Sequence, residues 1–240
     1  HYFDGSRYVK EHVLGARKLT EVEATEVGKW YESYHSKTGA TSDGFGSAKG
    51  SNMMLVQAEA LQNFVIGRSV NGQAITPHLN QLVKEMAYFD HFYSQVGQGR
   101  TVDAEFAVNA SLYPLPSGAV YRRYPHNAYD ALPKVLKERG YAAYAFHAYE
   151  KSFWNRHVMY NSYGLDRFYG KEDFAPGETV GWALGDGPLL QQMTDLLIKE
   201  KKPFYAMAVL LSSHHPFTGI PAHHKKLDLG KLEGTLEGNY

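Results

Sequence analysis

The sequence predicts an α/β domain: a mostly parallel sheet flanked by helices on both faces. Three observations carry this. Short apolar runs at Met53–Ala58, Tyr141–Phe146 and Phe204–Leu211 have the length and composition of buried strands. Stretches with helical spacing of apolar residues lie between them. Strand and helix alternate along the chain, which calls for parallel pairing through crossover helices. A length of 240 residues is enough for one large domain or two small ones.

The elements follow in order. From Glu11 to Tyr34, apolar residues recur at rough helical spacing (Val13, Leu14, Leu19, Val22, Val27, Trp30, Tyr31), which predicts a helix. Residues 36–50 are rich in Gly, Ser and Thr and read as a linker. The expected organisation is therefore an N-terminal helix and linker over 1–50, then a domain over 51–240. Thr76-Pro77 opens a helix, with Thr at the N-cap, Pro in the first turn, and Leu79, Leu82, Val83 and Met86 as its apolar face. Thr101 opens another, with Val102, Phe106 and Leu112 inward. A further helix spans Tyr129 to Arg139 and stops at Gly140, a C′ glycine. A last helix covers Pro188 to Lys201.

Composition excludes several classes. Acidic and basic residues balance at 25 each, so nothing global points to nucleic acid. The absence of cysteine excludes a disulfide scaffold, a thiol nucleophile and a thiolate metal site. No apolar run approaches the roughly 20 residues of a membrane helix. Tyrosine is abundant, at 18 residues. Aromatic surfaces suit polyol ligands, but packing is the commoner reason for them.

In a parallel α/β sheet, ligands bind beyond the carboxyl ends of the strands. Glu59 follows the first strand, His147 the second, and Ser212, Ser213, His214 and His215 the third. Glu59 suits a hard cation or general-base work, and equally a surface turn. Gly97-Gln-Gly-Arg-Thr101 runs into a helix start, where free N–H groups favour an anion. Arg100 adds a donor fork, and Thr101 a hydroxyl that could attack phosphorus or simply cap the helix. Trp154 offers a flat face to a glycerol or sugar backbone, and Arg156 a fork for a phosphate oxygen. Both are also ordinary as a packed Trp with a snorkelling Arg. His214 could donate to phosphate or ligate metal, or be structural. His223-His224-Lys225-Lys226 reads as a solvated loop.

Taken in order, these segments resemble one family. Gln57-Ala-Glu-Ala-Leu-Gln-Asn-Phe-Val-Ile66, Thr76-Pro-His-Leu-Asn80, Tyr88-Phe-Asp-His-Phe-Tyr93, Gly97-Gln-Gly-Arg-Thr101-Val-Asp-Ala-Glu-Phe106, Ser111-Leu-Tyr-Pro-Leu115, Lys151-Ser-Phe-Trp-Asn-Arg156 and His214-His-Pro-Phe217 are similar to the extracellular catalytic domain of lipoteichoic acid synthases. The resemblance implies a sulfatase-like fold of the alkaline phosphatase superfamily and one divalent metal, Mn²⁺ or else Mg²⁺. It implies Glu59 as metal ligand and Thr101 as both nucleophile and ligand. Arg100, His147, Trp154, Arg156 and His214 would hold the headgroup. The implied donor is phosphatidylglycerol and the acceptor a growing polyglycerolphosphate chain. The implied place is the outer face of the bacterial membrane, through a parent transmembrane region, or the medium after cleavage.

One departure stands out. The family's later Asp-His pair of metal ligands has no match, so the chain is expected to be a C-terminally truncated catalytic domain that is inactive on its own. Related primases, phosphodiesterases, phosphoethanolamine transferases and sulfatases share much of the pattern. Thr at 101 and the lack of cysteine argue against a formylglycine sulfatase. A non-catalytic glycerolphosphate-binding module is the alternative of another class.

Overall fold

The structure is a computed structural model that describes residues 19–35 and 44–240. The chain divides into two compact units, residues 1–49 and 50–240. In the first, helix α1 runs over Glu21–His35. Its start is a capping box: Glu23 N donates to Thr20 Oγ1, and Thr20 N donates to the Glu23 carboxylate. The part of the predicted helix before residue 19, and linker residues 36–43, lie outside the described residues.

The second unit opens with strand β1 (Met53–Gln57) and a small hairpin, β2 (Ser69–Val70) with β3 (Gln73–Ala74). Helices α2 (Pro77–Glu85), α3 (Thr101–Ala110), α4 (Val120–Arg123) and α5 (Leu132–Lys137) follow. Then come β4 (Ala142–Phe146), α6 (Arg156–Ser162) and β5 (Arg167–Tyr169). The hairpin β6 (Thr179–Val180) with β7 (Ala183–Leu184) leads into α7 (Asp186–Leu197), β8 (Phe204–Val209) and the short α8 (Leu236–Asn239).

The central sheet has four strands in the order β1-β8-β4-β5, all parallel. Strand alternation sorts its side chains into two cores. Tyr205, Met207 and Val209 of β8, with Ala143 and Ala145 of β4, pack against Val102 and Phe106 of α3 and Met159 and Tyr160 of α6. Phe204, Ala206 and Ala208, with Ala142 and Phe146, pack against Leu189, Met193 and Leu197 of α7. Helices thus cover both faces, as the alternating pattern requires. The small residues Ala142, Ala143, Ala145, Ala206 and Ala208 let both layers approach the central strands closely.

Several local expectations are corrected. β1 is an edge strand, and Met53, Met54 and Val56 are exposed. An apolar run cannot by itself separate a central strand from an edge one. α2 forms with Thr76 at its N-cap, but buries no residue, and Leu82 and Met86 are exposed. Thr76 Oγ1 donates to Asn80 Oδ1 rather than capping a backbone N–H. Leu112 is exposed, because Ser111 adopts a left-handed conformation that ends α3 before it. The helix expected from Tyr129 starts only at Leu132, with Pro133 in its first turn, where a missing N–H costs nothing. Gly140, at φ +86°, closes it as a C′ glycine. The predicted helix over 188–201 begins at Asp186 and ends at Leu197. Many of the tyrosines serve packing: Tyr121, Tyr160, Tyr163 and Tyr205 are fully buried, three of them in mutual ring contacts. Among the described residues, no helix is long and apolar enough to cross a membrane.

Candidate active site

β1, β8 and β4 are neighbours, so the residues after their carboxyl ends meet. Hydrogen bonds between the loops hold them there. Ser213 Oγ, after β8, donates to the Glu59 carbonyl after β1 (2.8 Å). Gln57 Nε2 donates to the Thr101 carbonyl (3.2 Å), tying β1 to the start of α3. Asp186, in the first turn of α7, accepts from Leu211 N (2.8 Å) and Ser212 N (3.2 Å), and its own N–H donates to Ser212 Oγ (2.8 Å).

The turn before Thr101 is built around Asp103, which is buried on the first turn of α3. Its Oδ2 accepts from Gly97 N (2.8 Å) and Gly99 N (2.9 Å), curling the loop onto the helix start. A side chain at 99 would fall on that carboxylate, with its Cβ 2.6 Å from Asp103 Cγ. Gly99→Ala is therefore expected to destabilise by about 1–3 kcal/mol, the usual cost of overpacking a filled site. A denaturation midpoint equal to that of the wild type would show that the turn has room to spare.

Arg100 takes the N-cap position at φ +50° and ψ −113°, a rare conformation for a residue with a side chain. Ala60 (φ +56°) and Trp154 (φ +57°) bend in the same left-handed sense. Such strain collects where surrounding structure holds a functional geometry. Thr101 is thus the first helical residue and not the cap. Its side chain instead stands beside the Glu59 carboxylate in the same cleft.

Burial pushes the Glu59 carboxyl up, an effect larger than the opposing pull of His214, Arg156 and the nearby Thr101 hydroxyl. The ionised form is undercompensated by the protein around it. Its oxygen, together with the Thr101 hydroxyl, is the donor chemistry that a hard divalent cation takes.

Arg156 is 1% exposed, an unusual place for a guanidinium. Glu105, wholly buried four residues along α3 from Thr101, compensates it: Arg156 Nη2 lies 2.7 Å and Nε 3.0 Å from Glu105 Oε1. The Tyr160 hydroxyl (2.6 Å) and Tyr121 hydroxyl (3.2 Å) donate to Glu105 Oε2. Of the three guanidinium nitrogens, Nη1 has no partner.

His147 is also buried. Its Nδ1 lies 2.9 Å from the Val209 carbonyl and so carries the proton, leaving the Nε2 lone pair available. Desolvation, and then the Arg156 charge, hold its pKa down to about 3, so the ring stays neutral.

All of these side chains converge. Glu59, Arg100, Thr101, His147, Trp154, Arg156 and His214 line one cleft of about 250 Å³. Its remaining walls are residues the sequence did not single out: Tyr149, Phe153, Trp182, Val209 and Leu211. Trp154 carries the Arg122 guanidinium 5.2 Å from its ring centroid. Trp182, at the tip of the β6–β7 hairpin, lies with its ring 4.0 Å from that of His214. Glu105 was also missed, although its i+4 spacing from Thr101 places it on the same helical face. Trp182 had no comparable signal, because it reaches the cleft only through a tertiary contact.

Known proteins resemble this chain in the same region. The sulfatase family model matches residues 51–231. Lipoteichoic acid synthase-like YvgJ of Bacillus subtilis is 42% identical over 195 residues, covering 80% of this chain and 31% of that protein. Lipoteichoic acid synthase 2 of the same organism is 38% identical over 200 residues, covering 82% of this chain and 31% of that one. The chain thus spans about a third of the length of the curated relatives it matches. The crystal structure of the lipoteichoic acid synthase LtaP from Listeria monocytogenes superposes with a TM-score of 0.82 at 32% identity, over 87% of this chain and 53% of that one.

Proposed function

Since this chain belongs to the sulfatase family, we propose that its cleft is the headgroup site of a glycerolphosphate transferase of lipoteichoic acid synthesis, with Thr101 as nucleophile. The observation that carries this reading is the pairing of a hydroxyl beside the Glu59 carboxylate with a buried guanidinium that keeps one unpartnered donor, in a single cleft.

The donor is phosphatidylglycerol. The Thr101 oxygen attacks its phosphorus and the bond to the diacylglycerol oxygen breaks. That oxygen takes up a proton, and the glycerolphosphate is left as an ester on Thr101. The terminal hydroxyl of a polyglycerolphosphate chain then attacks the same phosphorus. Thr101 leaves and recovers its proton, and the chain is one unit longer.

The residues divide the work. Arg156 Nη1 donates to a non-bridging phosphate oxygen, its guanidinium aimed by Glu105 from behind. Arg100 supplies a second cationic donor at the helix start. His147, neutral and protonated at Nδ1, accepts at Nε2 from a glycerol hydroxyl. Trp154 and Trp182 flank the glycerol carbons, and His214 closes the site beside Trp182. A divalent cation, Mn²⁺ or Mg²⁺, would be held by Glu59 and Thr101 and would supply charge stabilisation at the phosphoryl group. Two oxygen donors fall short of the roughly six such ions take. We therefore infer that this chain alone binds the ion weakly and turns over little lipid. The parent protein would work at the outer membrane surface of a Gram-positive cell.

The test uses phosphatidylglycerol labelled in its terminal glycerol, with Mn²⁺, on the longer parent protein and on this chain. The parent is expected to release diacylglycerol and carry label on the peptide containing Thr101. This chain alone is expected to do neither. Steady diacylglycerol release without label at Thr101, when the intermediate is trapped by acid quench, would overturn the nucleophile. Robust release by this chain alone would overturn the inference about the ion.

A further inference from the structure

Away from the cleft, two separate segments bring three metal-ligating side chains together. Glu178 lies just before β6. His223 and His224 lie in a single 3₁₀ turn after Pro221. Glu178 Oε1 is 2.8 Å from His223 Nε2, and Oε2 is 2.8 Å from His224 Nε2. The two imidazole centroids are 4.2 Å apart. The three ligand atoms all lie within 4.8 Å of one another.

We propose that Glu178, His223 and His224 form a second metal site, distinct from the cleft, that takes Zn²⁺. The donor set decides the ion. Two imidazole nitrogens and one carboxylate suit zinc, whereas Mg²⁺ and Ca²⁺ take oxygen almost alone. The geometry is close to ready. Ligand atoms of a tetrahedral zinc stand roughly 3.3 Å apart, given bonds of about 2.0–2.1 Å. The carboxylate has only to draw back by a fraction of an ångström for an ion to sit between the three. All three side chains reach solvent, so an ion can enter and water can fill the open position.

The site would act on the cleft wall. Glu178 leads into the β6–β7 hairpin that carries Trp182, and His223 and His224 belong to the segment that follows His214. The backbone already links these segments once, from Gly181 N to Gly219 O (3.1 Å). A zinc there would clamp the Trp182 hairpin to the loop after β8, and hold the Trp182–His214 contact in place.

The 240-residue chain, stripped with chelator and held in excess Mn²⁺, is titrated with zinc chloride by calorimetry. One zinc equivalent is expected for the wild type, and equally for Glu59→Gln, which alters the cleft. His224→Ala, His223→Ala and Glu178→Gln are each expected to weaken zinc at least about tenfold, a loss that even the outer partners of metal ligands can produce. X-ray absorption of the zinc-loaded protein is expected to show imidazole scattering. These are surface positions, so metal-free melting temperatures should match the wild type and exclude misfolding. Undiminished zinc binding by the Glu178→Gln, His223→Ala, His224→Ala triple variant would overturn the proposal. So would a folded wild-type chain that takes up no zinc at micromolar concentration, or zinc lost only in Glu59→Gln.

Discussion

On the proposed reading of Thr101 as nucleophile, Thr101→Ala in a protein carrying this domain is expected to lower phosphatidylglycerol turnover by about three orders of magnitude or more, because only binding and electrostatic contributions would remain. Folding should hardly change. Thr101 is only half-buried, and its hydroxyl caps no backbone N–H, since Arg100 occupies the N-cap. Alanine is also a better helix former than threonine at that position. The melting temperature is therefore expected within a degree or two of the wild type. Turnover should fall in kcat and kcat/KM together, as when an interaction made only in the transition state is lost. Thr101→Ser keeps a hydroxyl and is expected to retain measurable turnover. Equal rates for wild type and Thr101→Ala, in protein that is folded and supplied with Mn²⁺, would remove Thr101 from the chemistry. The binding-module reading would then be the one to pursue.

The second large effect is expected at Glu105. Its carboxylate is the sole counter-charge hydrogen-bonded to the Arg156 guanidinium among the described residues, and both groups are wholly buried. Glu105→Gln is nearly isosteric, but strands a cation in the core, and breaking such a pair from one side typically costs about 3–5 kcal/mol. For a domain of this size that corresponds to a fall in melting temperature of roughly 10 °C. Against a total stability of about 5–15 kcal/mol, part of the protein should be unfolded at growth temperature.

Adding Arg156→Met separates stability from chemistry. The double variant removes both buried charges of the pair, and the new glutamine still accepts from Tyr160 and Tyr121. Most of the lost stability is expected to return, since replacing a buried ion pair as a whole is often neutral. Turnover is expected to stay low, because the donor at Nη1 is gone. Thermal melts alongside kinetics of the two variants would decide it. Recovery of turnover in the double variant would show that Arg156 does not touch the substrate. A Glu105→Gln variant as stable as the wild type would show that the guanidinium finds another partner.

Different parts of this molecule were legible to different degrees. The two inner strands, β4 and β8, follow directly from composition, because their burial is written in unbroken apolar runs. Helix boundaries were less legible. Tyr129 looks helical by spacing, yet it lies in a loop and turns its hydroxyl to the Tyr124 carbonyl. α2 has the apolar periodicity of a packed helix but buries nothing. Periodicity reports which residues could face a core, and only the tertiary arrangement supplies one.

The candidate site divides along the same line. Glu59, Thr101, His147 and His214 could be chosen from the chain alone, since a parallel sheet gathers the residues just past its strand ends and the order of the segments resembles one family. Those four positions, and the polar groups they offer, were therefore already legible in the linear order. What folding alone decided is the state of each group. Burial set the neutral tautomer of His147, the undercompensated charge of Glu59 and the Glu105–Arg156 pair that leaves one donor free. It also brought Trp182 over His214 and Glu178 against His223 and His224, across 32, 45 and 46 positions of chain. Those properties depend on local dielectric and on distances between segments remote in sequence, and neither quantity exists until the chain is packed.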